Sequence, residues 1–166
     1  MKLLMLVIIG FLISYELPFA QSQFIDFYGK RVTIGMTKTK VKNLFAESYD
    51  IEEKNNFFML YSKKIKSLDG SFGFENNKLY VANRYWGIYQ YENSMEFTEV
   101  LYTLLSKIQK EGLKIAEVST NIQNEPNSTY KTIKIDFGDK DISIKIIDTR
   151  EYVGVEIVES LFRFPQ

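Results

Sequence analysis

Between Tyr130 and Leu161 apolar side chains recur at every second position, and this period commits the last third of the chain to a sheet. Ile133, Ile135 and Phe137 alternate with Lys134 and Asp136, and Ile142, Ile144 and Ile146 alternate with Ser143 and Lys145. A period of two matches the pleat of a strand and not the 3.6-residue turn of a helix. The predicted strands are Leu113 to Thr120, Tyr130 to Phe137, Ile142 to Asp148 and Tyr152 to Leu161. They are separated by a polar loop from Asn121 to Ser128 holding Pro126, a tight turn at Gly138-Asp139-Lys140 and a second turn at Thr149-Arg150. Consecutive strands joined by short polar turns pair as an antiparallel meander with one face to be covered.

The segment just before this run supplies a cover. Asn93 can cap a helix with Glu96 three residues later. Phe97, Val100, Leu101, Leu104, Leu105 and Ile108 mark one face in steps of three and four, and Gly112 follows Lys110 and Glu111 as a stop. Upstream, Thr37 can cap a shorter helix from about Lys38 to Glu47, with Val41, Leu44 and Phe45 on its apolar stripe. Strand-like runs follow at Phe57 to Ser62, Ser71 to Glu75 and Lys78 to Trp86, punctuated by Asp69-Gly70 and Asn76-Asn77. In the last of these, Leu79, Val81 and Tyr85 fall on one face and Tyr80, Ala82 and Trp86 on the other. The order is helix, about three strands, helix, about four strands. That is an α+β domain whose antiparallel sheet is covered on one face by one long and one short helix. It allows two α-βββ halves in tandem, 23–91 and 92–166.

Composition narrows the chemistry. The 166 residues include no Cys and no His, which removes Ser-His-Asp and Cys-His triads and the usual zinc, haem and iron-sulfur ligand sets. The nine glycines are scattered singly, so no phosphate loop is formed. No cofactor and no metal is expected. The first residues have the pattern of a secretory signal: Lys2, an apolar run from Leu3 to Ile13 broken only by Gly10, then Ser14 to Ser22 ending in small residues, with cleavage after Ala20 or Ser22. The run is shorter than the roughly 20 apolar residues of a spanning helix. The expectation is therefore a signal peptide at 1–22, a single domain at 23–166, and a periplasmic or secreted location with no membrane anchor after cleavage. With 21 basic and 21 acidic residues the chain is neutral, and it stays neutral once Lys2 and Glu16 are removed, so net charge does not favour nucleic acid or an anionic membrane. An exported domain without disulfides must be held by packing, and the 11 Tyr, 13 Phe and one Trp are its main resource.

Val32-x-Ile34 followed by Gly35-Met36-Thr37, Val41 and Leu44-Phe45, and then Phe72-Gly73-Phe74-Glu75-Asn76-Asn77-Lys78-Leu79, resembles the SmpA/OmlA outer-membrane-assembly lipoproteins and the similar β-lactamase inhibitor protein repeats. The resemblance spans roughly Val32 to Val81. It implies a short helix packed on an antiparallel sheet and a non-catalytic module that binds other proteins. Two family features are missing: Phe45-Ala46-Glu47-Ser48 stands where the family has Leu-Gly-x-Pro, and no Cys follows the signal peptide.

Three groups of residues are candidates for function. Tyr80, Arg84, Tyr85, Trp86, Tyr89 and Tyr91 form the densest aromatic patch, and Tyr, Trp and Arg are the residues enriched at interface hot spots. An out-facing set of Tyr80, Arg84 and Trp86, with Tyr89 beside it, is the predicted binding surface. Strands are also aromatic-rich for packing reasons alone. Lys30, Arg31, Lys38, Lys40 and Lys42, with Lys63, Lys64 and Lys66, form a basic group that can meet an acidic surface or simply face water. The carboxylate pairs Glu96/Glu99, Asp139/Asp141 and Glu156/Glu159 are close in sequence and are candidates for glycosidase-type acid and base, which needs two carboxyls about 5 to 10 Å apart in a cleft; Glu156 and Glu159 are expected on opposite faces. The leading expectation is an exported, non-catalytic module that recognises a protein or envelope component through an exposed sheet face. The alternatives are a carboxylate-dependent glycan hydrolase, or a carrier of a small apolar ligand between helix and sheet near Phe97, Leu101 and Leu105.

Overall fold

The alternation at 130–161 becomes three adjacent strands of one eight-stranded sheet. The computed structural model describes residues 24–90 and 94–162. In chain order it contains β1 (Phe24–Phe27), β2 (Lys30–Thr33), α1 (Lys38–Phe45), β3 (Tyr49–Lys54), β4 (Phe57–Ser62), β5 (Leu68–Glu75), β6 (Lys78–Gln90), α2 (Ser94–Glu111), β7 (Glu117–Glu125), β8 (Ser128–Asp136), β9 (Lys140–Thr149) and β10 (Val153–Phe162). β1 and β2 form a separate hairpin. The other eight strands make one antiparallel sheet in the order β3-β4-β5-β6-β10-β9-β8-β7. Each half is a helix followed by a four-stranded meander, and the two meanders are joined through their last strands, β6 and β10. Exchanging the halves leaves the strand order unchanged.

The first half thus has four strands where three were expected. Its extra strand, β3, is an edge strand with the sequence Tyr-Asp-Ile-Glu-Glu-Lys. Only Tyr49 is fully buried there, so the segment carries too little apolar alternation to stand out, and the charges that hide it also suit an exposed edge. β7 likewise runs on to Glu125 through what reads as a polar loop. All nine of its residues are exposed, and its turn to β8 is reduced to Pro126-Asn127. The hairpin turns at Tyr28-Gly29 and Asn76-Asn77 all take positive φ, which supplies the twist that two-residue turns need.

Local chemistry explains both helices. Thr37 caps α1, its hydroxyl accepting from the Lys40 amide at 3.2 Å. At the other end the Lys30 ammonium donates to the Leu44 carbonyl (2.8 Å), and that of Lys63 to the carbonyls of Ala46 (3.2 Å) and Glu47 (2.9 Å). These cations satisfy carbonyls the helix leaves open and oppose its dipole. α2 ends at Gly112, whose φ of +67° closes the helix. Asn93, its predicted cap, lies outside the described residues, as do the predicted signal peptide at 1–22 and Tyr91. No helix among the described residues is long and apolar enough to cross a membrane.

Both helices and the hairpin pack on one face of the sheet. Around α1, Phe45 stacks on Phe72 at 5.3 Å and meets Phe27 and Tyr49 edge-on at 5.5 and 5.6 Å. Val41, Ile25, Val32, Leu60 and Leu79 fill the space around them. Gly70 lets the hairpin seat itself: a Cβ there would lie 2.6 Å from the Phe27 ring. Under α2 a smaller cluster joins Leu104 and Ile108 to Phe137, Ile142 and Ile157. Leu105, expected in the core stripe, is 44% exposed, so it does not line an internal space between helix and sheet.

Candidate binding face

The central strand β6 decides which side chains can meet a partner, and two irregularities in it re-aim the predicted set. Against β5, Gly73 pairs with Val81 but Phe74 pairs with Leu79, so Tyr80 is an extra residue. Against β10, Val158 pairs with Tyr85 but Ile157 pairs with Gly87, so Trp86 is a second one. A bulge of this kind shifts the alternation by one position. Leu79, Ala82, Arg84 and Trp86 therefore face the helices. Tyr80, Val81, Asn83 and Tyr85 face the other way.

The expected out-facing trio is thereby divided. Tyr80 is on the open face. Trp86 packs against the cluster under α2, and Arg84 is only 7% exposed. The Arg84 guanidinium lies 3.8 Å over the Trp86 ring and 4.7 Å over that of Tyr28, and it donates to the Asp26 carbonyl oxygen. The Tyr89 backbone pairs with Val155; its side chain lies outside the described residues. Nothing in the sequence marks Tyr80 as a bulge, because the Leu-Tyr-Val-Ala run alternates equally well without one.

On the open face the sheet is bare of any described helix or hairpin. Register places Phe57, Met59 and Tyr61 of β4 there, beside Tyr80, Val81 and Tyr85 of β6. Phe57 is 41% exposed and meets the Tyr80 ring edge-on at 6.4 Å. Gly73 makes this approach possible, since a Cβ there would come within 3.0 Å of Val81, Phe57 and Tyr80. Toward the second half the face turns polar. A concavity of about 440 Å³ is lined by Tyr85, Asn83, Tyr130, Lys145, Glu156 and Asn121, among others, with the Lys145 ammonium 4.6 Å from the Tyr130 ring.

The covered face holds a cluster of buried charge at the seam of the two halves. Lys140 is 0% exposed and bonds Glu111 at 3.0 Å and Glu159 at 3.1 Å. Lys107 reaches Glu159 at 3.0 Å and Glu111 at 3.9 Å, and the Trp86 indole donates to Glu159 at 3.3 Å. Sequence reasoning missed this ring because its members lie far apart in the chain and Lys140 reads as a turn residue. The only available signal was that Glu159 sits at an in-facing position of an apolar strand.

Several of the remaining candidates have structural partners. Lys38 and Lys42 pair with Glu53, and Lys66 with Asp50. Lys134 bonds Asp141 at 2.8 Å, which holds the lysine above its ordinary pKa. Asp139 is half-buried with one carboxyl oxygen unbonded, and burial pushes its pKa up. Glu96 and Glu99 are exposed on α2. Glu156 and Glu159 do lie on opposite faces, as expected from their offset. No group of three or more acidic residues among the described residues is placed to hold a metal.

Compared with known proteins, the chain matches no family model, no curated protein and no solved structure.

Proposed function

We propose that this chain is an exported, non-catalytic binding module that recognises a protein or cell-envelope component through the open face of its sheet. The observation that carries the reading is the row of Phe57, Tyr61, Tyr80 and Tyr85 on the face that the helices and hairpin leave bare. Large aromatics cost little side-chain entropy to order and dominate interface energetics, and a polar surround such as the Tyr130–Glu156 concavity is the usual rim. Of the predicted anchors, Tyr80 remains in this surface. Arg84 and Trp86 act beneath it, fixing the hairpin and α2 against the strand that presents it.

The test is affinity capture from the envelope fraction of the source cell with the 23–166 chain, alongside two variants. Tyr80→Ser/Tyr85→Ser should lose the captured component while keeping its circular dichroism spectrum. Leu105→Ser, on the opposite face, should keep it. Equal capture by all three proteins would overturn the assignment of the open face.

A further inference from the structure

On the other face, a cleft of about 620 Å³ opens between the β1–β2 hairpin and α2. Phe24, Asp26 and Arg31 line one wall, and Tyr102, Lys107 and Lys110 line the other. Arg84 is part of its lining.

Arg84 is the unusual member. It is 93% buried, the complement of its 7% exposure, and a buried cation ordinarily has a carboxylate partner, because removing a charge from water costs several kcal/mol. Among the described residues none lies within ion-pair distance of it. Glu159, its cross-strand neighbour, is already bonded by Lys107, Lys140 and the Trp86 indole. The Asp26 carboxylate accepts from the Gly29 amide at 2.8 Å. The guanidinium is clamped between the Trp86 and Tyr28 rings and spends a donor on the Asp26 carbonyl oxygen, out of five N–H groups. None of its nitrogens is sealed from solvent without a partner, and Arg84 itself lines the cleft.

Charge in and under the cleft is net positive. Arg31, Arg84, Lys107, Lys110 and Lys140 outnumber Asp26, Glu111 and Glu159 by two. A rigidly held planar fork at the bottom of a cation-rich, partly aromatic cleft is matched to an oxyanion that can accept two parallel N–H bonds. The excess of two positive charges corresponds to the roughly −1.5 to −2 that a phosphate monoester carries at neutral pH.

We propose that this cleft is a binding site for a small phosphate monoester. Its phosphate head is held by Arg84, with Arg31 and Lys110 at the rim, and its organic body lies against Phe24 and Tyr102. The site is on the face opposite the proposed binding surface and does not depend on that reading.

The experiment is calorimetric titration of the 23–166 chain, in phosphate-free buffer at low salt, with 1-naphthyl phosphate, inorganic phosphate and 1-naphthol. One-to-one saturable binding of the ester is expected, with weaker binding of inorganic phosphate and none of the neutral naphthol. Arg84→Gln should weaken ester binding by about tenfold to a hundredfold, the loss of charge-assisted bonds. Arg31→Ala and Lys110→Ala, at exposed rim positions, should each weaken it severalfold and steepen no other property of the fold. If Arg84→Gln fails to fold, the rim variants decide. No saturable binding of the ester, equal binding of 1-naphthol, or affinity unchanged in a folded Arg84→Gln or in both rim variants would overturn the site.

Discussion

The two halves share one plan, a helix followed by a four-stranded meander, yet they are sealed very differently. In the first, an eight-residue helix is too short to cover four strands, and the β1–β2 hairpin lies beside it. Together they bury a cluster of 13 residues built on Phe27, Phe45, Phe58 and Phe72. In the second, the 18-residue α2 works alone over a fully buried cluster of five. Val118, Ile122, Ile133 and Ile146, which register places on the face toward α2, remain between 38% and 63% exposed. Topology therefore does not determine how well a sheet is covered. The hairpin, which has no counterpart among the described residues of the second half, gives the first half its larger buried cluster, while Lys107, Lys140, Glu111 and Glu159 all belong to the second half and bond one another, with the Trp86 indole as their link to the first.

The sharpest way to break this comparison is to truncate one large apolar side chain on each side of it. Phe72 is fully buried between Phe27 and Phe45, at 5.2 and 5.3 Å, and Phe72→Ala should cost about 3–5 kcal/mol. Ile133 is 40% exposed, so Ile133→Ala should cost about 1 kcal/mol or less. Urea unfolding of the two variants measures both. Equal losses would mean that the second half is sealed as tightly as the first.

The seam offers the next largest effect. Glu159 is the acid shared by Lys107 and Lys140, and Glu159→Leu would leave a fully buried Lys140 with Glu111 alone. Breaking a buried ion cluster from one side costs about 3 kcal/mol or more, whereas replacing both charges by apolar groups is often close to neutral. Lys140→Met/Glu159→Leu should therefore recover most of what Glu159→Leu loses, read as urea midpoints. A double variant as unstable as the single one would show that the ring stabilises the second half by more than compensation of charge.

How much of this was legible depended on whether a signal was local. The α+β class, the meander of the last third and the long helix were readable because Ile133-x-Ile135-x-Phe137 and the Phe97-to-Ile108 stripe repeat within one element. β3 was not, because an edge strand with Asp50, Glu52 and Glu53 resembles a loop. The aromatic patch was found on the right strand, but two of its three expected anchors, Arg84 and Trp86, face the helices: the bulge that separates Tyr80 from them arises from how β5 and β6 pair, and no neighbour in sequence records it. Arg84 and Glu159 were noticed as charges. Their burial depends on the hairpin and on α2, which are placed by tertiary packing.

The smallest expected effect separates the halves by acid. In the first half, β3 is fastened by Lys66 to Asp50 and by Lys38 to Glu53. The bond from Lys66 holds the Asp50 carboxyl below its usual range, and the bond from Lys38 does the same for Glu53. A carboxyl depressed in the folded state adds stability that is present above its unfolded value and lost as pH falls through the folded one. Lowering the pH from 6 through the ordinary carboxylate range and below it should therefore loosen β3 on its outer edge as both carboxylates take up protons. Since both groups are solvent-exposed, the loss is modest and shrinks further in salt. Hydrogen exchange at Tyr49–Lys54 reads it directly: protection, corrected for intrinsic rates, should drop with acid in the wild type and change less in Lys38→Ala/Lys66→Ala. If β7, which forms no ion pair among the described residues and is exposed along its whole length, lost protection over the same range by the same amount, acid would be acting on the sheet as a whole and not on the fastening of β3.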